Sequence, residues 1–125
     1  MEINIYLNED SWNKNSPDEV FNGEIRIRKN NFIIETHDDG KLYRQFLSFD
    51  KIFAITYEIP YAIGTLGREV NLYFDLTSWS SCKPKVTLTG DVVEEESTPQ
   101  YVVVISEGYK QYISLNKIFA CSYEW

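Results

Sequence analysis

YRQFLSFDKIFAITYEI (Tyr43–Ile59) and YKQYISLNKIFACSYEW (Tyr109–Trp125) share nine of 17 residues at an offset of 66. A second pair stands in the same relation. INIYLNEDSWNKNSP (Ile3–Pro17) and VNLYFDLTSWSSCKP (Val70–Pro84) share five of 15 residues at an offset of 67. Asn4/Asn71, Tyr6/Tyr73, Ser11/Ser78, Trp12/Trp79 and Pro17/Pro84 are the identities of the second pair. Background composition would supply about 2 identities where these windows hold 14. The matches fall in the same order, which points to tandem duplication of a unit of about 60 residues. The expectation is one domain over residues 1–125, made of repeat one (1–66) and repeat two (67–125). A β unit that small is marginal alone, so each is expected to bury one face against the other. The connector Pro60–Glu69 fits, because Tyr61, Ile63 and Leu66 beside Gly64 and Gly67 are not the residues of a solvated linker.

The local pattern is that of strands. Ile3, Ile5 and Leu7 alternate with polar residues, and Val70, Leu72 and Phe74 repeat the alternation. Glu24–Arg28 alternates charge with isoleucine, while Phe32–Thr36 and Tyr101–Ile105 are short β-branched runs. Asp39-Gly40 is a hairpin signal, with a shorter turn expected at Ser106-Glu107-Gly108. Beyond each hairpin a strand, a jog at Phe49-Asp50-Lys51 or its counterpart, and a final strand are expected. Phe53, Ile55, Tyr57 and Ile59 fall on one face, with Phe119, Cys121, Tyr123 and Trp125 in the matching places. The two copies differ in two loops. Ser16 and Glu19 read as a capping box with Pro17 at the first helical position, so one short helix is expected over Ser16–Gly23. The second copy lacks that loop and inserts GDVVEEESTPQ (Gly90–Gln100) instead. The fold class expected is therefore all-β with one short helix, two tandem repeats forming a pseudo-two-fold sandwich or barrel-like domain.

Of 125 residues, 43% are apolar and 15% aromatic, enough for a core and weighted toward strands. Twelve Lys and Arg against nineteen Asp and Glu give a formal charge of −7, which argues against binding a phosphate backbone. No run approaches the roughly 18–20 apolar residues that span a bilayer, and MEINIYLNED has neither the basic nor the apolar part of a signal peptide. A cytoplasmic protein with no membrane contact is expected, with Cys82 and Cys121 as reduced thiols and a single bridge between them as the alternative.

Chemical motifs are absent from the pattern. The one histidine, His37, sits beside Asp38 and Asp39 in an expected turn; His and carboxylates are metal-ligand and general-base types, but an exposed turn is the plainer reading and no nucleophile stands at a telling spacing. There is no glycine-rich phosphate loop, no paired-cysteine metal motif and no calcium loop, so no metal, no cofactor, no catalytic residue and no enzyme activity are expected. Glu58 and Glu124 are matching carboxylates that could work as an acid–base pair if they met across the pseudo-axis; a solvated sheet face is the plainer reading. Trp12 and Trp79 read as plugs over the ends of the two copies, or as aromatic anchors for a partner.

Carboxylates remain as the prominent feature. Glu9, Asp10, Asp18 and Glu19 in copy one, with Asp91, Glu94, Glu95 and Glu96 in copy two, are the candidate partner-facing residues. The function expected first is a non-enzymatic inhibitor or immunity-type protein that occupies the basic, nucleic-acid-binding site of a larger protein such as a nuclease, without binding nucleic acid itself. Two alternatives stand beside it. One is a small-ligand or nucleotide-signal binder with a pocket of Tyr and Trp at the repeat seam, and the other is a structural subunit that assembles through a strand edge or the connector.

Overall fold

The computed structural model describes residues 1–28, 31–59 and 67–124. Pro60 to Leu66 of the connector, and Trp125, lie outside them. The elements are β1 (Glu2–Tyr6), α1 (Glu9–Asn13), β2 (Glu19–Arg28), β3 (Asn31–Asp38), β4 (Lys41–Phe46), a 3₁₀ turn at Phe49–Lys51 and β5 (Ala54–Glu58). There follow β6 (Arg68–Tyr73), α2 (Leu76–Ser80), β7 (Val86–Val92), a 3₁₀ turn at Glu94–Glu96, β8 (Tyr101–Ser106), β9 (Tyr109–Ser114) and β10 (Ala120–Tyr123). All ten strands join in one open antiparallel sheet of order β10-β6-β7-β8-β9-β5-β1-β2-β3-β4, where two packed layers or a barrel were expected. Among the described residues no helix is long and apolar enough to cross a membrane.

Both short helices lie where the sequence reading placed none, and the expected helix at Ser16–Gly23 is a correction. Asn8 and Asp75 are the caps. The Asn8 side chain accepts from Ser11 N at 2.8 Å and that of Asp75 from Ser78 N at 2.7 Å, each with extended backbone at φ −149. The hydroxyls of Ser11 and Ser78 donate back to the cap carbonyls, both at 3.0 Å. Pro17 biases Ser16 away from the helical region, and Asp18 N donates to Ile5 O at 2.9 Å, which lays the next residues against β1. The apparent capping box therefore opens β2 instead of a helix.

The order along the sheet repeats. In the first half β5-β1-β2-β3-β4 are neighbours, and in the second β10-β6-β7-β8-β9 are. Registers repeat too: Ile3 opposes Phe21 and Tyr57, while Val70 opposes Leu88 and Tyr123. Gly23 and Gly90 explain one shared requirement. A Cβ at Gly23 would stand 2.0 Å from Glu35 O, and one at Gly90 1.9 Å from Ile105 O. A side chain at either would have to displace the backbone of the neighbouring strand. The hairpins turn over the same number of residues, through Asp39-Gly40 and Glu107-Gly108, all at positive φ. The expected shortening of the second turn is thus a difference in arm length: β3 has eight residues and β8 has six.

Five strands per half is an odd number, and in an antiparallel sheet this has a geometric consequence. β5 and β10 run in opposite directions although the order along the sheet is kept, so the second half is turned over. Its core falls on the opposite face. Ile3, Ile5, Phe32, Ile34 and Ile55 of the first half form a cluster with Tyr101, Val103 and Tyr112. Val70, Leu72, Val102, Val104 and Ile113 form the other with Tyr6, Trp12, Phe53 and Ala54. Residues of β1, β5, β8 and β9 thus contribute to both clusters, and Ala54 and Thr56, on the face of β5 opposite Ile55, are buried as well. Phe53 precedes β5 and packs with Ala54 on the second cluster, not beside Ile55 as the alternation implied.

Cys82 and Cys121 are both free. Cys121 packs at the edge of the second cluster, and burial pushes its thiol up to about 11 from 9.0. The folded chain therefore keeps a proton that the unfolded chain loses, and stability is expected to fall as pH climbs from about 9 to about 11. Urea midpoints across that window check this. Cys121→Ala should flatten the loss relative to the unaltered chain, and an identical slope in both would refute the assignment.

Candidate functional site

The halves meet where β5 pairs with β9. Thr56 opposes Gln111 across that joint, and Asn4 opposes Thr56 on the other side, so three polar residues form a row over β1, β5 and β9. Thr56 and Gln111 are buried, on strands whose next same-face pair, Ala54 and Ile113, is apolar. A buried polar row is costly unless its groups are hydrogen-bonded. Gln111 Oε1 accepts from Trp12 Nε1 at 2.9 Å. Burial raises the Tyr6 hydroxyl above its ordinary value, and a hydrogen bond with Thr56 partly offsets this.

This row floors a cleft of about 560 Å³. Trp12, Asn13, Asn15 and Pro17, from α1 and the loop after it, line the cleft. Val86–Thr89 of β7, with Ser106, Glu107 and Tyr109 around the second hairpin turn, also line it, so both halves contribute. Among the described residues the lining holds two carboxylates, Glu2 and Glu107, and no Lys, Arg or His. Its volume falls within the range of small-molecule sites. The chemistry on offer is amide and hydroxyl hydrogen bonding, aromatic surface and negative charge, which suits a neutral or positively charged polar group and does not suit a phosphate.

The two tryptophans part company. Trp12 is 7% exposed and packs against Phe53 with ring centres 5.2 Å apart and planes tilted by 45°. Trp79 is 48% exposed and rests on Phe119 at 5.7 Å. The plug reading therefore fits Trp12 and has to be corrected for Trp79. Glu58 and Glu124 are not brought together, since β5 and β10 stand five positions apart in the sheet. His37 is exposed at the end of β3, in a strand and not in the turn itself.

Most of the eight candidate carboxylates have partners inside the chain. Glu9 takes Lys85 Nζ at 2.8 Å and Asp10 takes Lys14 Nζ at 3.0 Å. Asp18 accepts from Leu7 N at 2.7 Å and from Ser11 Oγ at 2.8 Å, and these bonds hold its carboxyl below the ordinary range. Glu94 accepts from the Tyr123 hydroxyl. Glu96 takes Lys110 Nζ at 2.7 Å. Lys110 is held above its ordinary value: burial is the largest single effect and opposes the charge, but the bonds to Glu96 and Tyr57 outweigh it. Asp91 is also engaged. Glu19 and Glu95 are exposed. The carboxylates are spread over α1, the start of β2, the end of β7 and the 3₁₀ turn after it, and none of the eight lines the cleft. Among the described residues no group of three His, Cys, Asp or Glu is placed to hold a metal ion.

The chain matches no protein-family model, no curated protein and no solved structure.

The cleft itself was out of reach of the sequence reading in its particulars. Asn4, Thr56 and Gln111 are polar residues at strand positions, and only the β5–β9 pairing makes them one row. The usable signal was the Gln45/Gln111 identity within the matching segments, since glutamine in a strand calls for a partner.

Proposed function

We propose that the protein is a non-enzymatic binding module whose ligand site is the cleft at the joint, taking a neutral or positively charged polar group. The unbroken Asn4–Thr56–Gln111 row at its floor carries the reading, because it sets amide and hydroxyl groups at the base of a cleft large enough for a small molecule. The two halves, in this reading, descend from one duplicated β unit, and the site arose where they were fused. Glu2 and Glu107 in the lining favour uncharged or cationic ligands over a nucleotide-derived signal.

Thermal unfolding with separate panels of saccharides, amides, ammonium and guanidinium compounds, and nucleotides tests it. A ligand at a hundred times its dissociation constant adds about 2.7 kcal/mol, so a clear rise in midpoint is expected from the first three panels and none from nucleotides. Thr56→Val and Asn4→Leu should remove the rise. A response to nucleotides alone, or one that survives both substitutions, overturns the proposal.

The acidic-surface reading keeps one observation in its favour, the formal charge of −7, which steers the chain toward basic partners whichever carboxylates are paired. Occupying the basic site of a nuclease-like protein would then be its role in the cytoplasm. Association that weakens steeply with salt, and that responds to Glu19→Gln and Glu95→Gln, supports this. Binding indifferent to salt removes it.

A further inference from the structure

At its centre the sheet joins β9 to β5, and at its ends it leaves β4 and β10. In the match of Tyr43–Ile59 with Tyr109–Trp125, β4 is the counterpart of β9 and β10 that of β5. The two ends therefore carry the same two edges that the central joint brings together. We propose that the β4 edge of one copy pairs with the β10 edge of a second copy, continuing the sheet head to tail.

The residues that make the central joint are present again at the ends. Trp12 donates to Gln111 across the joint, and their counterparts Trp79 and Gln45 are identical residues. Ser114 Oγ donates to Phe49 O across the joint, and Ser48 holds the matching place. Tyr57 opposes Lys110 in the joint, and the matching pair is Tyr123 with Arg44, again a phenol facing a cation. Carrying the β5–β9 register over sets Cys121 opposite Phe46, Ser122 opposite Gln45 and Tyr123 opposite Arg44.

Exposure differs in the direction the proposal requires. Tyr112, inside the joint, is 2% exposed, and its counterpart Phe46 is 67% exposed. Trp12 and Trp79 differ in the same sense, and Ser114 is buried while Ser48 is exposed. Phe46, Leu42 and Tyr43 leave apolar side chains on an edge strand, the arrangement that templates pairing with another chain. The faces also agree. Phe46 opposes Ile33 on the face that carries Cys121 and Tyr123, and Gln45 opposes Ile34 on the other. The contact is head to tail, so it produces a ring if the rotation closes and a filament if it does not. It would also rebuild the polar row at each new joint, from Asn71, Ser122 and Gln45. This inference stands independently of any ligand in the cleft.

Directed cross-linking tests it. In a Cys82→Ser background, Phe46→Cys sets a thiol opposite the native Cys121 of the next copy, and opposed Cα atoms in an antiparallel pair lie about 4.5–5.5 Å apart, within disulfide reach. Oxidation is expected to give covalent dimers and higher species on non-reducing gels, while Gln45→Cys, on the opposite face of the strand, leaves monomer. Sedimentation should show mass rising with concentration for the unaltered chain. Trp79→Ala and Phe46→Lys, both at exposed positions, should return it to monomer with unchanged circular dichroism. A chain that stays monomeric at the highest concentration reached, or cross-links equally from both positions, overturns the proposal.

Discussion

Trp12→Ala is expected to destabilise the fold by about 3–5 kcal/mol in urea unfolding of dilute protein, and Trp79→Ala by less than about 1 kcal/mol. The two tryptophans follow the same serine in matching segments, so any account built on local sequence gives them equal weight. The sheet does not. α1 follows β1, which has β5 and then β9 of the other half beside it, so Trp12 finds Phe53 at 5.2 Å and a buried acceptor in Gln111 at 2.9 Å. α2 follows β6, beyond which lies only β10, so Trp79 has Phe119 and solvent. Removing the Trp12 ring opens a cavity in the second cluster and leaves Gln111 without its indole donor, two costs that add. Equal destabilisation by the two substitutions would contradict the packing. Trp12→Phe separates the terms. It keeps much of the apolar volume and loses the donor, and should cost about 1–3 kcal/mol.

That contrast shows what the sequence could and could not say. Strand periods, the hairpin at Asp39-Gly40 and the jog at Phe49–Lys51 are local, and each was readable from residues within a few positions. The helix was misplaced because Ser16-Pro17-Asp18-Glu19 satisfies a capping pattern in isolation, while the bonds from Leu7 N and Ser11 Oγ to Asp18 commit that carboxylate elsewhere. Asn8 and Asp75, three residues before matching serines, were the better signal and lay inside a matched segment. Burial was harder. Ala54 and Thr56 face what looks like a polar side, yet the turned-over second half lays its own cluster across them. No period in the chain encodes that inversion. It follows from the count of five strands and the joining of β9 to β5, which are properties of the assembled sheet.

Separated halves are expected not to fold. The cluster named for the first half is completed by Tyr101, Val103 and Tyr112, with Phe32 at 5.0 Å from Tyr112 and Phe49 at 4.8 Å from Tyr101. The second is completed by Tyr6, Trp12, Phe53 and Ala54. Each half thus borrows three or more large side chains, each contributing about 1.5–3 kcal/mol on burial, against a net stability of only about 5–15 kcal/mol for a whole domain. Cutting between the halves removes the borrowed residues and exposes the β5 and β9 edges at once. A fragment of residues 1–66 and one of 67–125 should each lack a cooperative urea transition and near-ultraviolet aromatic dichroism. Mixing them should restore both, because the β5–β9 register is held by the pairs from Ala54–Ile113 to Glu58–Tyr109 as well as by Ser114 on Phe49 and Trp12 on Gln111. Fragments that unfold cooperatively on their own, with Tyr112 or Trp12 solvated, would mean that each half closes its own core, and the interleaving of the clusters would then not be what stabilises the sheet.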